Sequence, residues 1–285
     1  MRNINGLLLS LARLVPDELY LKIVYRLETG KRLNLKAPST FNEKLQWLKL
    51  HNRKPIYTQM VDKVGVRSIV EEKIGPEYLV PVLGVWDNVN DIDFEQLPDK
   101  FVLKCTHDSG DLIICKDKKA LDINAAKAKL KKGLATDLYS KGREWPYKNV
   151  HPRVYGEVYM SDTNEDQLTD YKVYCFNSIP RLIQVDFDRF TDHKRQFYSP
   201  DWTLTDVSWH IPSTKSVELT KPLVLEQMLD IATRLSNGIP FLRVDFYVVD
   251  DELFVGETTF FPGAGFGKWM PEGTDERLGR LLQIQ

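Results

Sequence analysis

Apolar positions recur at helical spacing through the first third of the chain and give way to short alternating runs after residue 81. Pro16 opens a helical pattern over residues 16–27. Thr40-Phe41-Asn42-Glu43 has the form of a capping box, in which hydroxyl and carboxylate each satisfy a free backbone N–H of a new helix. That helix is predicted to run through Leu50, with Leu45, Trp47 and Leu48 on its apolar face. One more is predicted from about Tyr57 through Val61, Val64 and Val66 to Glu72, ending at Gly75-Pro76. Beyond Pro81, strands are expected over residues 82–86, 101–105 and 112–115, a basic helix over 123–138, and further strands over 154–160, 170–176, 181–187 and 195–198. A helix over 222–235 precedes a hairpin, 242–249 and 252–257, turned at Asp250-Asp251. This order predicts an α+β fold with a mostly antiparallel sheet: two small α+β lobes around a cleft, after a helical N-terminal extension. The boundaries expected are 1–78, 79–160 and 161–285. At the start of the chain Leu7, Leu8, Leu11, Leu14 and Val15 fall at the spacing of an amphipathic helix, packed on the body or resting on a membrane surface. Arg13 interrupts that stretch and no small-residue cleavage site follows, so no signal peptide is expected. Nothing approaches the ~20 apolar residues of a membrane span.

Composition narrows the chemistry. With 42% hydrophobic residues in 285, a real core can be buried. Thirty-nine basic against forty acidic residues leave a net charge of −1, so no overall field favours nucleic acid or an anionic membrane, and any phosphate site must be built locally. The three cysteines, Cys105, Cys115 and Cys175, lie in apolar runs without metal-ligand spacing and read as reduced core residues, which suits a cytoplasmic address. The five histidines lack zinc-site spacing.

Two places carry charge where it is costly. Arg243-Val244-Asp245-Phe246 lies on one hairpin strand and Gly256-Glu257-Thr258-Thr259 ends the other, so Asp245 and Glu257 can project toward one point as hard-oxygen ligands for magnesium. The alternative is a pair of solvated strand carboxylates. Alternation puts Arg243 on the face of Asp245, as a fork for a phosphate or carboxylate. Lys104 sits inside the apolar run Phe101-Val102-Leu103-Lys104 and needs an anion facing it, from a ligand or from an internal salt bridge.

The order Arg243-x-Asp245, Glu257-x-Thr259, Pro262-Gly263 resembles the metal-binding end of the ATP-grasp ligases, such as the D-alanine–D-alanine ligases. Thr259 stands where that family usually has asparagine, which implies a more weakly held second metal. The resemblance extends in order through the chain. Lys104 looks like the strand lysine that reaches the ATP phosphates, and His107-Asp108-Ser109-Gly110-Asp111 like the phosphate-covering loop, with Ser109 and Gly110 near the nucleotide. Lys63 in Val61-Asp62-Lys63 resembles the helix-start lysine of the nucleotide site, Glu157 the hinge glutamate beside adenine and ribose, and Asp170-Tyr171-Lys172 the acidic-then-basic element beside the nucleotide. Within the superfamily, residues 40–45, 102–110 and 143–149 are similar to the TupA-like branch linked to teichuronopeptide and surface-polysaccharide synthesis.

The resemblance implies ATP and Mg²⁺ as cofactors, with Asp245, Glu257 and Thr259 toward the metal and Arg243 and Lys104 in catalysis. It implies phosphoryl transfer to a carboxylate, then attack of an amine on the acyl phosphate, joining an amino acid to a uronic acid or polyglutamate chain. It leaves open a peripheral contact with the inner membrane face or a polysaccharide synthase. Substrate-binding candidates are His107, Arg143, Trp145, Arg189, Lys194, Arg195, Trp202 and His210. Two rival readings stand beside it: a nucleotide-sugar glycosyltransferase using Asp186-Phe187-Asp188, and a non-catalytic nucleotide-binding scaffold.

Overall fold

Helix α1 (Asp17–Thr29) leads into α2 (Phe41–His51), whose capping box forms as expected: Glu43 N–H donates to Thr40 Oγ1 at 3.2 Å and Thr40 N–H to Glu43 Oε2 at 3.2 Å. The computed structural model describes residues 14–107, 110, 112–161, 168–187, 193–210, 217 and 219–284. The early apolar positions Leu7, Leu8 and Leu11 therefore lie outside the described residues. The single helix expected over residues 57–72 is instead two, α3 (Ile56–Val61) and α4 (Gly65–Lys73). Asp62 breaks it by turning extended at φ −75°, ψ 120°, with its Oδ1 accepting Val64 N–H at 3.2 Å and its Oδ2 accepting from Arg153 at 2.9 Å. Asp side chains compete for backbone donors in this way, which apolar periodicity does not register.

Strands β1 (Val82–Trp86), β2 (Phe101–Cys105) and β3 (Leu112–Cys115) follow, then α5 (Ile123–Leu134), α6 (Leu138–Gly142), a 3₁₀ turn (Trp145–Asn149) and β4 (Val154–Val158). The basic helix ends at Leu134, short of its expected length, and α6 starts afresh where Asp137 caps it by accepting Ser140 N–H. The second half carries β5 (Asp170–Phe176), β6 (Ile179–Phe187), β7 (Lys194–Tyr198), β8 (Ser208–Trp209), α7 (Leu225–Ser236), β9 (Phe241–Val249), β10 (Glu252–Thr259), β11 (Trp269–Met270) and α8 (Thr274–Leu281). Among the described residues one sheet has four strands in the order β1-β4-β2-β3, another five in the order β10-β9-β5-β6-β7, and β8 pairs with β11; the ladders between these strands are antiparallel, and a single parallel bridge joins Leu79 to Val255. The β9–β10 turn has Asp250 and Asp251 both in the left-handed region, at φ 49° and 63°, the backbone that matches the twist of a two-residue hairpin.

The four-stranded sheet packs Phe101, Leu103 and Val154 with Ala126 and Leu130 of α5. A larger core joins the five-stranded sheet to α2, α3, α4 and α7. Helix α1 closes on Ala264 and Phe266, and Lys44 Nζ donates to the carbonyls of Gly279 and Leu282 at 2.8 and 2.6 Å, so the N-terminal helices are tied to the C-terminal end. Cys105, Cys115 and Cys175 are buried without a disulfide, and their thiols donate to the carbonyls of Leu130, Asp99 and Ala232. Lys49 was not singled out by the pattern, yet it is fully buried: its ammonium donates to Gln46 Oε1, Gly142 O and Ala264 O at 2.9, 2.6 and 2.7 Å. These acceptors, with the Phe266 face 4.8 Å away, are the compensation that a buried cation needs. Among the described residues no helix is long and apolar enough to cross a membrane.

Candidate active site

The hairpin sets the first part of the site. Phe246 pairs with Val255 and Asp245 pairs with Glu257, so the register slips by one residue at Gly256. Plain alternation would put Val255 and Glu257 on one face. The bulge turns Glu257 to the other, beside Asp245, as one extra residue in a strand must. A β-carbon at Gly256 would lie 2.8 Å from Tyr247 Cε2, so the position also needs the absence of a side chain. Gly256→Ala is therefore expected to cost about 1–3 kcal/mol through overpacking. A lowered denaturation midpoint checks it, and an unchanged one would show that Tyr247 yields freely.

Arg243, Asp245 and Glu257 converge. The guanidinium donates to Asp245 through Nε and Nη2, both at 2.6 Å, and the same Nη2 lies 3.5 Å from Glu257 Oε1 and 3.2 Å from Thr259 Oγ1. Arg243 thus grips Asp245 itself, while Thr259 accepts from Arg243. On the adjacent strand β5, Lys172 pairs across the ladder with Asp245. Its ammonium bridges Asp170, Asp245 Oδ2 at 3.4 Å and Asp186 Oδ2 at 3.7 Å. Burial pulls the Lys172 pKa down, but Asp170, Asp245 and Asp186 outweigh it and the net direction is up.

Lys63 sits in the break between α3 and α4, where its backbone N–H donates to Thr106 O at 3.2 Å, and its ammonium lies 3.8 Å from Glu257 Oε2. The break in the helix is what brings this lysine to the hairpin. Burial would raise the Glu257 carboxyl, yet Lys63, Arg243, Lys172 and Lys104 hold it at about 2.

Lys104 meets its expected anion as an internal salt bridge to Glu157 of β4. Both line a cavity of about 370 Å³ between the two sheets, with Val102, Ile114 and Met160 on its apolar wall and Asp170 and Tyr247 toward the hairpin. Of the phosphate-loop candidates, Gly110 has φ 120°, a conformation open to glycine. Ser109 lies outside the described residues. Lys63, Lys104, Glu157, Asp170, Lys172, Arg243, Asp245, Glu257 and Thr259 are thus gathered by three strands of the larger sheet, two of the smaller, and one helix break.

The substrate candidates separate. Arg195 donates through Nε to Asp186 Oδ1 at 2.6 Å, and Trp202 stacks on Tyr198 at 4.3 Å. Arg143 is buried over the Tyr20 ring. Arg189 lies outside the described residues. Asp186, the first member of the Asp-x-Asp triplet, is 1% exposed, and its oxygens accept from Arg195 and from Gln184 at 2.7 Å. Burial raises its carboxyl, but Arg195, Lys172 and His193 bring it down to about 2. The network behind Lys172 had no signal in the spacing, because Gln184, Asp186 and Arg195 meet only through the β5–β6–β7 register.

Asp245 and Glu257 fit a magnesium ion on donor chemistry: two hard-oxygen carboxylates opposed on neighbouring strands, the usual protein share of a site completed by phosphate oxygens. Among the described residues no group of three or more His, Cys, Asp or Glu side chains could hold a metal alone.

Two antiparallel sheets flanking a cleft lined by lysines and carboxylates define an ATP-grasp fold. The chain belongs to the family described as TupA-like ATPgrasp, which matches residues 43–283. Solved structures similar in fold include the D-alanine–D-alanine ligase of Bacillus anthracis complexed with ATP, at 14% identity, TM-score 0.41, over 78% of this chain and 57% of that one. The L-amino acid ligase of Bacillus licheniformis matches at 14% identity, TM-score 0.44, over 87% of this chain and 56% of that one. The D-alanine–D-alanine ligase of Helicobacter pylori matches at 12% identity, TM-score 0.41, over 80% and 62%. The chain therefore spans a little under two thirds of these proteins' length or less. No curated protein matches it in sequence.

Proposed function

We propose that this chain is an ATP-dependent carboxylate–amine ligase that uses magnesium and joins an amino acid to a uronic acid or polyglutamate chain of a surface polysaccharide. The observation that carries the reading is the meeting of Asp245 and Glu257 at one guanidinium nitrogen of Arg243, with Lys172 linking that cluster to the cavity that Lys104 enters. The apolar part of the cavity suits a flat base, and its polar end suits phosphates. Magnesium, when bound, neutralises phosphate oxygens during transfer. Asp245 and Glu257 would hold the metal, Lys104 and Lys63 would draw the phosphates toward it, and Arg243 would offset charge on the transferred group and the substrate carboxylate. Thr259 would steady Arg243. No protein nucleophile is needed, since the amine of the second substrate attacks the acyl phosphate.

The glycosyltransferase reading is less favoured because Asp186 is already committed to Arg195, Gln184 and Lys172; Asp188 lies outside the described residues. The two readings separate by product. Purified protein with ATP and magnesium should release ADP and phosphate fully only when a uronate or polyglutamate and an amino acid are both supplied, with slow leakage when the amine is left out. The acceptor should gain the mass of the amino acid less water. Turnover of a nucleotide sugar without ATP would overturn the ligase.

A further inference from the structure

Asp186 has no part in the ligase as assigned so far, yet it is buried as deeply as Asp245. The strand register shows where it stands. Arg195 pairs with Asp186, Asp186 with Asp170, Lys172 with Asp245 and Asp245 with Glu257, so a row of largely alternating charge crosses the larger sheet from β7 to β10. Opposite charges on neighbouring strands attract one another directly.

The β7 end of the row is fixed on several sides. Arg195 donates through Nε to Asp186 Oδ1 at 2.6 Å and through Nη1 to Trp209 O at 3.1 Å. Its guanidinium lies 5.1 Å from the Trp209 ring, which stacks on Trp269 of β11 at 5.5 Å. Asp186 Oδ1 also accepts from His193 Nε2 at 3.1 Å, and Oδ2 accepts from Gln184 Nε2 at 2.7 Å, while Gln184 Oε1 accepts from the Tyr174 hydroxyl at 2.7 Å. Three donors hold this carboxylate in one orientation. At 3.7 Å, what it presents to Lys172 is a fixed negative charge, too distant for a hydrogen bond.

Lys172 is therefore shared. Its ammonium pairs with Asp170 and lies 3.4 Å from Asp245 Oδ2, with Asp186 Oδ2 as the third anion. Asp245 already takes both forks of Arg243. Without Asp186 the ammonium would be left, among the described residues, with Asp170 and Asp245, and would settle closer to them. It would then occupy further lone pairs of a carboxylate assigned to magnesium.

We propose that Asp186 is a positioning residue that holds the Lys172 ammonium off Asp245, with Arg195 holding Asp186, so that Asp245 keeps oxygen lone pairs for the metal. The inference rests on the ligase reading, in which Asp245 is a magnesium ligand. Asp186 acts through Lys172.

The test uses the full chain and the non-hydrolysable ATP analogue AMP-PNP, titrated by calorimetry with and without magnesium. The quantity compared is the factor by which magnesium tightens binding. In Asp186→Asn that factor should fall by about 10- to 100-fold, the range for removing a group that orients the ligands of a metal. Magnesium-free affinity should not fall, because losing a negative charge favours a polyanion, and the binding stoichiometry reports the folded fraction. Asp186→Asn with Arg195→Met removes the stranded cation too; it should recover the denaturation midpoint and keep the lowered factor, and it serves if the single variant does not fold. In a Lys172→Met background, Asp186→Asn should change the factor by less than about twofold, since no ammonium remains to be placed. The ¹⁵N signal of the Lys172 ammonium, assigned by its loss in Lys172→Arg, should shift in metal-free Asp186→Asn while that of Lys104 stays. A wild-type factor in Asp186→Asn, its return in the double variant, or an unmoved Lys172 signal would overturn the proposal and leave Asp186 as a partner of Arg195 alone. An equal loss in the Lys172→Met background would overturn action through Lys172. If the wild-type chain bound no AMP-PNP, or gained nothing from magnesium, the ligase reading itself would fall.

Discussion

Asp245→Asn should lower ADP release by at least about two to three orders of magnitude, the scale of removing a preorganised electrostatic group from a transfer site. It should also destabilise the fold. Asp245 is 2% exposed and takes both forks of Arg243 at 2.6 Å, with Lys172 at 3.4 Å, so the amide would leave two buried cations short of an anion. Breaking one side of a buried pair costs about 3–5 kcal/mol, more than the small loss expected when a carboxylate is regarded only as a metal ligand. The two effects can be separated. Arg243→Met with Asp245→Asn removes the unbalanced guanidinium as well, and replacing both members of a buried pair is often close to neutral. The double variant should recover much of the denaturation midpoint and none of the activity. Wild-type turnover in Asp245→Asn would remove the carboxylate from the mechanism, and activity that returned with stability would make its role one of folding alone.

What could be read in advance followed from how local each feature is. Strands β2, β3 and β5 were legible to the residue because their apolar runs are bounded by turn-forming clusters, and the α2 start was legible because a capping box lies within four residues. The Arg243–Asp245 pairing follows from period-two alternation on one strand. The facing of Asp245 and Glu257 depends on the Gly256 bulge, which shifts phase in a way that alternation cannot express; the glycine was the available signal. Lys63 reached the site through an interruption that its apolar neighbours hid, since Val61, Val64 and Val66 continue a helical spacing across it. The Lys172–Asp186–Arg195 network and the buried Lys49 were not legible at all. Their partners lie in other segments, and composition does not say which lysine will meet three acceptors.

Lys104→Met isolates the role of charge at the nucleotide cavity, since methionine keeps an apolar stem of similar length. Lys104 contacts Glu157 and lies within the electrostatic reach of Glu257. Its ammonium therefore has a protein partner and, in the ligase reading, a phosphate to receive. Affinity for an ATP analogue with magnesium should fall by about 10- to 100-fold, the worth of a charge-assisted contact of about 1.5–3 kcal/mol. Part of that fall would come from Glu157, left at the cavity edge facing a polyanion. Glu157→Gln combined with Lys104→Met removes that repulsion and should regain some affinity without reaching the wild-type value. A double-mutant cycle measured by calorimetry separates the two contributions. If the double variant bound the analogue as tightly as the wild type, Lys104 would serve only to neutralise Glu157, and the phosphates would have to be held by Lys63, Lys172 and Arg243. If Lys104→Met alone left binding unchanged, the cavity would not be the nucleotide site.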